Sequence, residues 1–205
     1  MNSARITAPV AAAILALVLT ACSDDASTDA HDAEHTASNG DVFNDADVDF
    51  ASGMIPHHAQ ALVMVDLTHG RTISPELTTL TEDIRAAQGP EIEQMVDWLT
   101  AWDQPVPETM RDHANAHDTG EHQDSDHESM PGMMSEDDLA RLEDAQGDEF
   151  ESLWLEMMIE QHEGAIEMAQ DEQEHGTYPP AVERAETIET AQQAEIDHME
   201  DLLER

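Results

Sequence analysis

The chain contains the same pattern of residues twice, and this internal repeat limits the folds open to it. Five residues of one segment return 104 positions later: Met54, Ile55, His58, Ala61 and Met64 recur as Met158, Ile159, His162, Ala165 and Met168. The same offset aligns Phe50 with Trp154, Pro75 with Pro179, and the run Gln88, Glu91, Ile92, Met95 and Leu99 with Gln192, Glu195, Ile196, Met199 and Leu203. A duplicated unit of this size cannot bury its apolar face alone. The two copies are therefore predicted to pack together.

Each copy has the apolar spacing of two helices. This spacing covers residues 45–68 and 75–102 in the first copy and residues 148–175 and 181–203 in the second, and a short helix is predicted from Ser135 through Leu142. Pro56 lies inside the first pattern and predicts either a kink or the true start of that helix. Because no useful stretch alternates with period two, the predicted fold class is all-α, with two helical hairpins packed as a four-helix bundle.

Two regions of low complexity flank the first hairpin. Residues 22–44 are predicted to form a flexible acidic tether, since residues 23–40 have no large apolar side chain. Residues 104–134 are predicted to form an acidic linker rich in histidine and methionine. The domain map therefore places the first hairpin at residues 45–103 and the second at residues 135–205, both in one bundle.

The N-terminus has the pattern of an export signal. Arg5 supplies a basic start, and residues 9–21 form an apolar stretch shorter than the roughly 20 residues of a membrane-spanning helix. Small residues before Cys22 resemble the bacterial lipobox, which implies removal of residues 1–21, lipidation of Cys22 and anchoring to a membrane face. A plain secretory signal is the alternative. Cys22 is the one cysteine of the chain, so soft-metal chemistry in the mature domain would have to use methionine and histidine.

The charge balance excludes one class of partner. The chain has 47 acidic residues against 7 basic ones, all of them arginine. Such a surface repels phosphate backbones, so nucleic-acid binding is not expected, and contact with a membrane is expected through the lipid anchor only. A saline habitat or selection for solubility explains most of this charge equally well. The net charge is therefore no evidence for a metal site.

The inward faces of the predicted helices combine methionine, histidine and acidic residues. At 100° per residue, Met54 and His58 share one stripe of the first helix, with His57 and Met64 on its flank. The third long helix repeats this stripe with Met158 and His162. The second and fourth helices add Glu91 with Met95 and Glu195 with Met199 to the faces that are predicted to meet in the bundle.

Taken singly, these positions have ordinary explanations. A methionine stripe is most often core filler, and an interior histidine is most often hydrogen-bonded to a carboxylate. Twelve methionines beside three phenylalanines and one tyrosine nevertheless make an unusual core, and the methionine–histidine pair recurs in both copies. Thioether with imidazole suits Cu(I), and imidazole with carboxylate suits Cu(II). The combination therefore predicts a copper site, with Cu(I) favoured and Cu(II) as the second form.

The linker supplies a second candidate metal site. Its histidines alternate with acidic residues, and methionines follow them: His113, His117, His122, His127, Met130, Met133 and Met134. The alternative is a disordered acidic tract whose histidines titrate near neutral pH. Both interpretations can hold, because a flexible histidine and methionine tract can become ordered around a metal ion.

The motif Met54-Ile55-Pro56-His57-His58 with Ala61 and Met64, and its counterpart from Met157 to Ala169, resemble the bacterial domain of unknown function 305 family. The resemblance covers nearly all of residues 45–102 and 136–203. It implies a ferritin-like four-helix bundle, export from the cytoplasm and, for copper-resistance members, copper binding through methionine and histidine. Carried over by position, the implied ligands are Met54, His57, His58, Met64 and Met95, and Met158, His162, Met168 and Met199. One departure is Gln161, which stands where the motif has its first histidine.

The leading hypothesis is a non-enzymatic, membrane-anchored protein that sequesters copper, and silver as a second metal, outside the cytoplasm. A ferritin-like di-iron oxidase is one alternative, but it needs two Glu-x-x-His pairs. Only Glu195 with His198 lies at a suitable place, and the first copy has Gln94 there. A structural or partner-binding envelope protein that binds no metal is the other alternative. The full set of bundle candidates is Met54, His57, His58, Met64, Glu91, Met95, Met158, His162, Met168, Glu195, His198 and Met199, and the sequence leaves the oligomeric state open.

Overall fold

A computed structural model describes residues 33–109 and 130–205. Two short strands, β1 (His35–Thr36) and β2 (Val42–Phe43), precede α1 (Asp45–Asp66) and α2 (Pro75–Ala101). The second half contains α3 (Glu136–Asp144), α4 (Asp148–His175) and α5 (Pro179–Leu203). The predicted export signal, Cys22 and the linker histidines His113, His117, His122 and His127 lie outside the described residues. No helix in the described ranges is long and apolar enough to cross a membrane.

The four long helices form a bundle of two hairpins. Helix α1 packs against α2, α4 packs against α5, and α1 packs against α4 across the centre, with α3 on the side of α4. The apolar core divides into two clusters. One cluster holds Phe50, Met54, Met95 and Ile188, and the other holds Met64, Ile84, Trp154, Met158 and Met199. The all-α, four-helix architecture agrees with the sequence prediction.

Prolines lie inside one hairpin helix and at the start of another. Helix α1 begins at Asp45, where Asn44 and Asp47 form a capping box, and it continues through Pro56. Helix α5, the second helix of the second hairpin, begins at Pro179. Proline fits the first turn of a helix because N–H groups there have no acceptor within the helix. Pro56 therefore marks neither a helix start nor a helix end.

Each hairpin is tied to the other by an acidic residue near the start of its first helix. Asp47 in α1 accepts hydrogen bonds from the backbone N–H groups of Thr177 and Tyr178 at 3.1 and 2.9 Å, in the turn between α4 and α5. Glu151 in α4 accepts from the backbone N–H and the hydroxyl of Ser74 at 2.8 and 2.7 Å, in the turn between α1 and α2. The two acids are related by the repeat offset, as are Ser74 and Tyr178. Equivalent residues thus make equivalent contacts between the hairpins.

A short antiparallel strand pair lies where the sequence predicts a flexible tether. Strands β1 and β2 pair with His35 opposite Phe43 and Thr36 opposite Val42. Phe43 is buried, and its ring stacks on Trp102 with 4.6 Å between the centroids. The structure corrects the tether prediction for residues 35–43, because the aromatic contact at Phe43 holds this segment against the bundle.

The end of the predicted linker also packs on the bundle. The side-chain amide of Gln60 donates to the carbonyl of Met134 at 2.8 Å and accepts from its backbone N–H at 2.7 Å. Gly132 has a φ of 71°, and a β-carbon there would lie 2.4 Å from the carbonyl oxygen of Glu160. Only glycine allows this approach. We call residues 130–134 the docked segment.

Candidate metal centre

A layer of buried polar residues crosses the middle of the bundle. In each long helix these residues lie between members of the two apolar clusters. Helix α1 contributes His57 and His58, α2 contributes Gln88 and Glu91, α4 contributes Gln161 and His162, and α5 contributes Gln192 and Glu195. All are buried except Glu195, which is half-buried. We call these eight residues the polar layer.

Two histidines of the polar layer are each held by a glutamate from the neighbouring helix. The Nε2 of His58 lies 2.9 Å from Oε2 of Glu91, and the Nε2 of His162 lies 2.7 Å from Oε2 of Glu195. Both pairs span 33 positions of the sequence, and the repeat offset relates them. The two hairpins therefore build the same pair.

In both histidines the ring nitrogen that does not face the glutamate, Nδ1, is available to bind a ligand. The carboxylate oxygen accepts this hydrogen bond and Nε2 donates it, so in the neutral imidazole Nδ1 carries the lone pair. The Nδ1 atoms of His58 and His162 are buried and have no hydrogen-bond partner among residues 33–109 and 130–205. Metal-bound histidines commonly donate their other N–H to a carboxylate, which orients the ring and raises its basicity. The two pairs therefore have the form of metal ligands with their supporting carboxylates in place.

His57 has a different environment from His58. Its Nδ1 accepts a hydrogen bond from the amide of Gln161 at 3.0 Å, and its Nε2 lies 3.0 Å from the carbonyl oxygen of Pro131 in the docked segment. Burial, with the nearby His58, lowers the pKa of His57 to about 3. Both ring nitrogens of this neutral imidazole are therefore engaged. His57 joins α1, α4 and the docked segment instead of presenting a free nitrogen.

The candidate methionines divide into two groups. Met54, Met64, Met95, Met158 and Met199 are fully buried in the apolar clusters on either side of the polar layer. Met168 is half-buried, as are Met130 and Met133 of the docked segment, whereas Met134 is buried. Four of the first group, Met54, Met95, Met158 and Met199, lie one helical turn from a histidine or glutamate of the polar layer, and Met130 and Met168 lie nearer the surface.

The remaining candidates lie apart from the polar layer. His198 is exposed on α5, so the Glu195–His198 pair that a di-iron site would need is not formed, and Glu195 binds His162 instead. Within residues 33–109 and 130–205, no group of three or more histidine, cysteine, aspartate or glutamate side chains could hold a metal ion. A metal bound at the polar layer would therefore need methionine sulfur or an amide beside the histidines.

Four residues of the layer or its edge are absent from the predicted set. Gln88 and Gln192 are buried, and within the described part of the chain neither amide has a hydrogen-bond partner for its oxygen or its nitrogen. Gln161 binds His57, and Arg184 places Nη1 3.5 Å from Oε1 of Glu91. The repeat offset aligns Gln88 with Gln192, and this match could have indicated a polar layer. A polar residue that recurs on an inward face needs polar surroundings. Arg184 gives no such signal, because Leu80 stands at its counterpart.

Comparison with known proteins assigns the chain to a family. Its sequence matches the family model described as "Domain of unknown function (DUF305)" over residues 47–203. The chain belongs to the DUF305 family. This result confirms the resemblance seen in the sequence. A search of the curated proteins found no match.

Solved structures of DUF305 proteins share the fold. A DUF305 fragment from Deinococcus radiodurans is 29% identical, with a TM-score of 0.66 over 83% of this chain and 99% of that one. A DUF305 protein of Streptomyces coelicolor, described as secreted, is also 29% identical, with a TM-score of 0.65 over 77% and 90%. CopM in its Cu(II)-bound form is 27% identical, with a TM-score of 0.61 over 77% and 95%. The all-α, ferritin-like fold of this DUF305 chain is thereby confirmed.

Proposed function

We propose that this DUF305 protein is an exported, membrane-anchored protein that binds and sequesters copper, with silver as a second metal, through methionine and histidine. It acts without catalysing a reaction. CopM, which shares its fold, has been solved with Cu(II) and with Cu(I) bound, at 27% and 26% identity to this chain. That likeness supports the metal, and the polar layer supports the place where it binds.

The observation that carries the proposal is the pair of buried Nδ1 atoms on His58 and His162. A buried polar atom without a partner costs about 1–3 kcal/mol, so two such atoms in equivalent positions call for a ligand. Glu91 and Glu195 each bind Nε2 and thereby fix both rings, which leaves the lone pair of Nδ1 available to a metal ion. A metal ion bound at Nδ1 would satisfy the atom that the protein leaves unpaired.

The surrounding donors favour a soft ion. Met54 and Met158 each lie one helical turn before their histidine, and both are fully buried. Neutral thioether and imidazole suit Cu(I), whereas ions such as Mg²⁺ and Ca²⁺ need several oxygen ligands. Cu(I) also carries a single charge, which makes its burial in the core less costly than that of a divalent ion.

Export and anchoring rest on the N-terminal sequence. The basic start, the apolar residues 9–21 and Cys22 have the order of a lipoprotein signal. Cys22→Ser should release the protein from membranes without unfolding it, because Cys22 precedes every described element. Cell fractionation tests this, and unchanged membrane retention of the variant would contradict lipid anchoring at Cys22.

The metal site is tested by removing both histidines in a background that has alanine at His113, His117, His122 and His127. Anaerobic Cu(I) titration against a competing chelator measures the copper affinity. His58→Ala with His162→Ala should lower it by more than the roughly 10- to 100-fold that follows the loss of a residue supporting a ligand. The matched control is His35→Ala with His175→Ala, which removes two exposed histidines. Circular dichroism checks that the helices remain.

A second variant tests the same site with less risk to folding. Met54→Leu with Met158→Leu nearly conserves side-chain volume and removes two thioethers. We expect weaker Cu(I) binding with stability changed by less than about 1.5 kcal/mol. Copper affinity unchanged in both the histidine and the methionine variants would refute the polar layer as the binding site.

A further inference from the structure

Two methionine sulfurs from separate segments meet beside Gly53. A β-carbon at position 53 would lie 3.6 Å from the Sδ of Met168 and 3.8 Å from the Sδ of Met130. Gly53, Met130 and Met168 are all half-buried. Because Gly53 has no side chain, the position that a β-carbon would occupy is unfilled and lies within 4 Å of both sulfurs. The counterpart of Gly53 in the second hairpin is Met157, so the gap occurs on one side of the repeat.

The position of Met130 is set by contacts of the docked segment. The carbonyl of Pro131 accepts a hydrogen bond from His57, and the side chain of Gln60 pairs with the backbone of Met134. A β-carbon at Gly164 would lie 2.1 Å from the carbonyl oxygen of Pro131, so glycine is needed for the segment to come this close. These contacts place the thioether of Met130, which lies outside the helices, near the thioether of Met168 on α4.

We propose that Met130 and Met168 form a second soft-metal site, separate from the polar layer, which binds Cu(I) or Ag(I) at the surface where α1 meets α4. The site rests on the proposed function only in that both bind soft metal ions. Thioether sulfur is a neutral, soft ligand that selects Cu(I) over harder ions, and its flexible end can adjust around a bound ion. Because both methionines are half-buried, an ion can reach this site from solvent without crossing the core.

The first test observes the methionine methyl groups directly. Protein labelled with ¹³C at the methionine methyl carbons is titrated with silver nitrate, and single leucine substitutions assign the signals of Met130 and Met168. Both signals should move together within the first equivalents of Ag(I). Signals that move only with a large excess of silver, or that do not move, would overturn the site.

The second test compares matched variants by anaerobic Cu(I) titration. Met130→Leu with Met168→Leu should remove one bound ion, whereas Met157→Leu, at a buried methionine outside the candidate metal sites, should leave the stoichiometry unchanged. Gly53→Ala places a methyl group between the sulfurs at ordinary contact distance and should weaken this site by about tenfold or more. Gly89→Ala is its control, because a β-carbon there has no atom within 4 Å. Equal behaviour of the two alanine variants, or full stoichiometry in the double leucine variant, would contradict the proposal.

The two proposals fail separately. In the His58→Ala, His162→Ala protein the signals of Met130 and Met168 should still respond to silver at low equivalents. Loss of that response, with binding kept in the double leucine variant, would mean that the polar layer is the metal site and that the surface site does not exist. If the signals of Met130 and Met168 still respond to silver but the polar layer binds no copper, the polar layer is refuted as a metal site and the surface site is supported.

Discussion

The two halves of the polar layer hold the same histidine–glutamate pair in different electrostatic surroundings. In the first half Glu91 binds His58 and also has Nη1 of Arg184 3.5 Å away, and its side chain is 10% exposed. In the second half Glu195 binds His162, its side chain is 21% exposed, and Leu80 stands at the counterpart of Arg184. The two pairs have the same geometry, but Arg184 places a positive charge beside the first pair and Leu80 is uncharged. The second half therefore offers a metal cation the more negative surrounding.

A second difference concerns the residue that precedes each histidine. His57 of the first half meets Gln161 of the second, and the nitrogen of the Gln161 amide donates to Nδ1 of His57 at 3.0 Å and to its carbonyl oxygen at 2.7 Å. A neutral imidazole has one N–H, so a histidine at position 161 could not make both contacts. The departure of Gln161 from the family motif thus has a structural reason, because this pair joins the hairpins across the centre of the bundle.

The largest difference between the halves is expected for the acids that tie the hairpins together. Asp47 is fully buried and accepts hydrogen bonds from the backbone N–H groups of Asn44, Thr177 and Tyr178. Glu151 is half-buried and accepts hydrogen bonds from Ser74. Asp47→Ala would leave three N–H groups unpaired and should cost about 3 kcal/mol or more, against about 1–2 kcal/mol for Glu151→Ala. Urea denaturation followed by circular dichroism measures both. Equal losses would show that the two ties are equivalent despite their contacts.

Copper affinity should distinguish the two supporting carboxylates. Glu91→Gln removes the less exposed charge and leaves Arg184 uncompensated beside the site, so its loss should lie near the upper end of the roughly 10- to 100-fold range for outer partners. Glu195→Gln removes a charge that solvent screens more and should lie near the lower end. Anaerobic Cu(I) competition compares the two variants. A larger loss for Glu195→Gln would reverse the order derived from exposure and charge.

The pH dependence of stability should reveal a third difference, at Glu172. This residue is buried near Asp47, and burial together with Asp47 raises its pKa to about 9, whereas its counterpart Thr68 does not titrate. The folded state keeps the proton that the unfolded chain releases near its ordinary pKa, so the stability contributed by Glu172 is complete below about pH 4.5 and declines as pH rises toward 9. Glu172→Gln should remove this decline.

The variant should therefore be more stable than the native protein at pH 8, by about 1 kcal/mol or more, with a smaller difference at pH 5. Thermal unfolding at both pH values measures the change, and Thr68→Val at the counterpart position serves as the control. A native stability that does not fall between pH 5 and pH 8 relative to the Glu172→Gln variant would contradict the protonated state of Glu172.

The sequence was sufficient for the helices because their signals are local. Ser74 with Pro75 marked the start of α2, and apolar spacing set α4 at residues 148–175, which the structure reproduces. Phe43 shows where local signals fail. One aromatic residue in a polar segment has no period to detect, and its burial depends on Trp102 at the end of α2. The docked segment has the same character, since Met134 and its hydrogen-bond partner Gln60 are 74 positions apart in the sequence.

The site was predictable in its residue types but not in their roles. The repeat singled out His58, His162, Glu91 and Glu195, yet their spacing could not show that each glutamate binds a histidine. Nor could it show that both nitrogens of His57 are engaged, because Pro131 comes from a distant segment. Roles of this kind depend on contacts between helices, which a helical wheel drawn for one helix does not contain.

The smallest effect is expected for Arg184, the residue that distinguishes the two halves most directly. It donates to Oε1 of Gln94 at 2.7 Å and lies 3.5 Å from Glu91, and its side chain is 30% exposed. Arg184→Leu gives the first half the residue type that Leu80 supplies in the second. Because a partly solvated charge contributes about 1 kcal/mol or less, Cu(I) affinity should rise by a factor of roughly two to five.

Two controls separate charge from packing in that experiment. Arg184→Lys keeps the positive charge and should leave the affinity near its native value, although lysine loses the planar fork of donors. Raising the salt concentration should shrink the difference between the leucine and lysine variants, since exposed charges are screened within about 10 Å at 0.1 M. An affinity that falls in Arg184→Leu would mean that arginine supports the geometry of Glu91 more than its charge opposes the metal, and the two halves would then differ in packing instead of electrostatics.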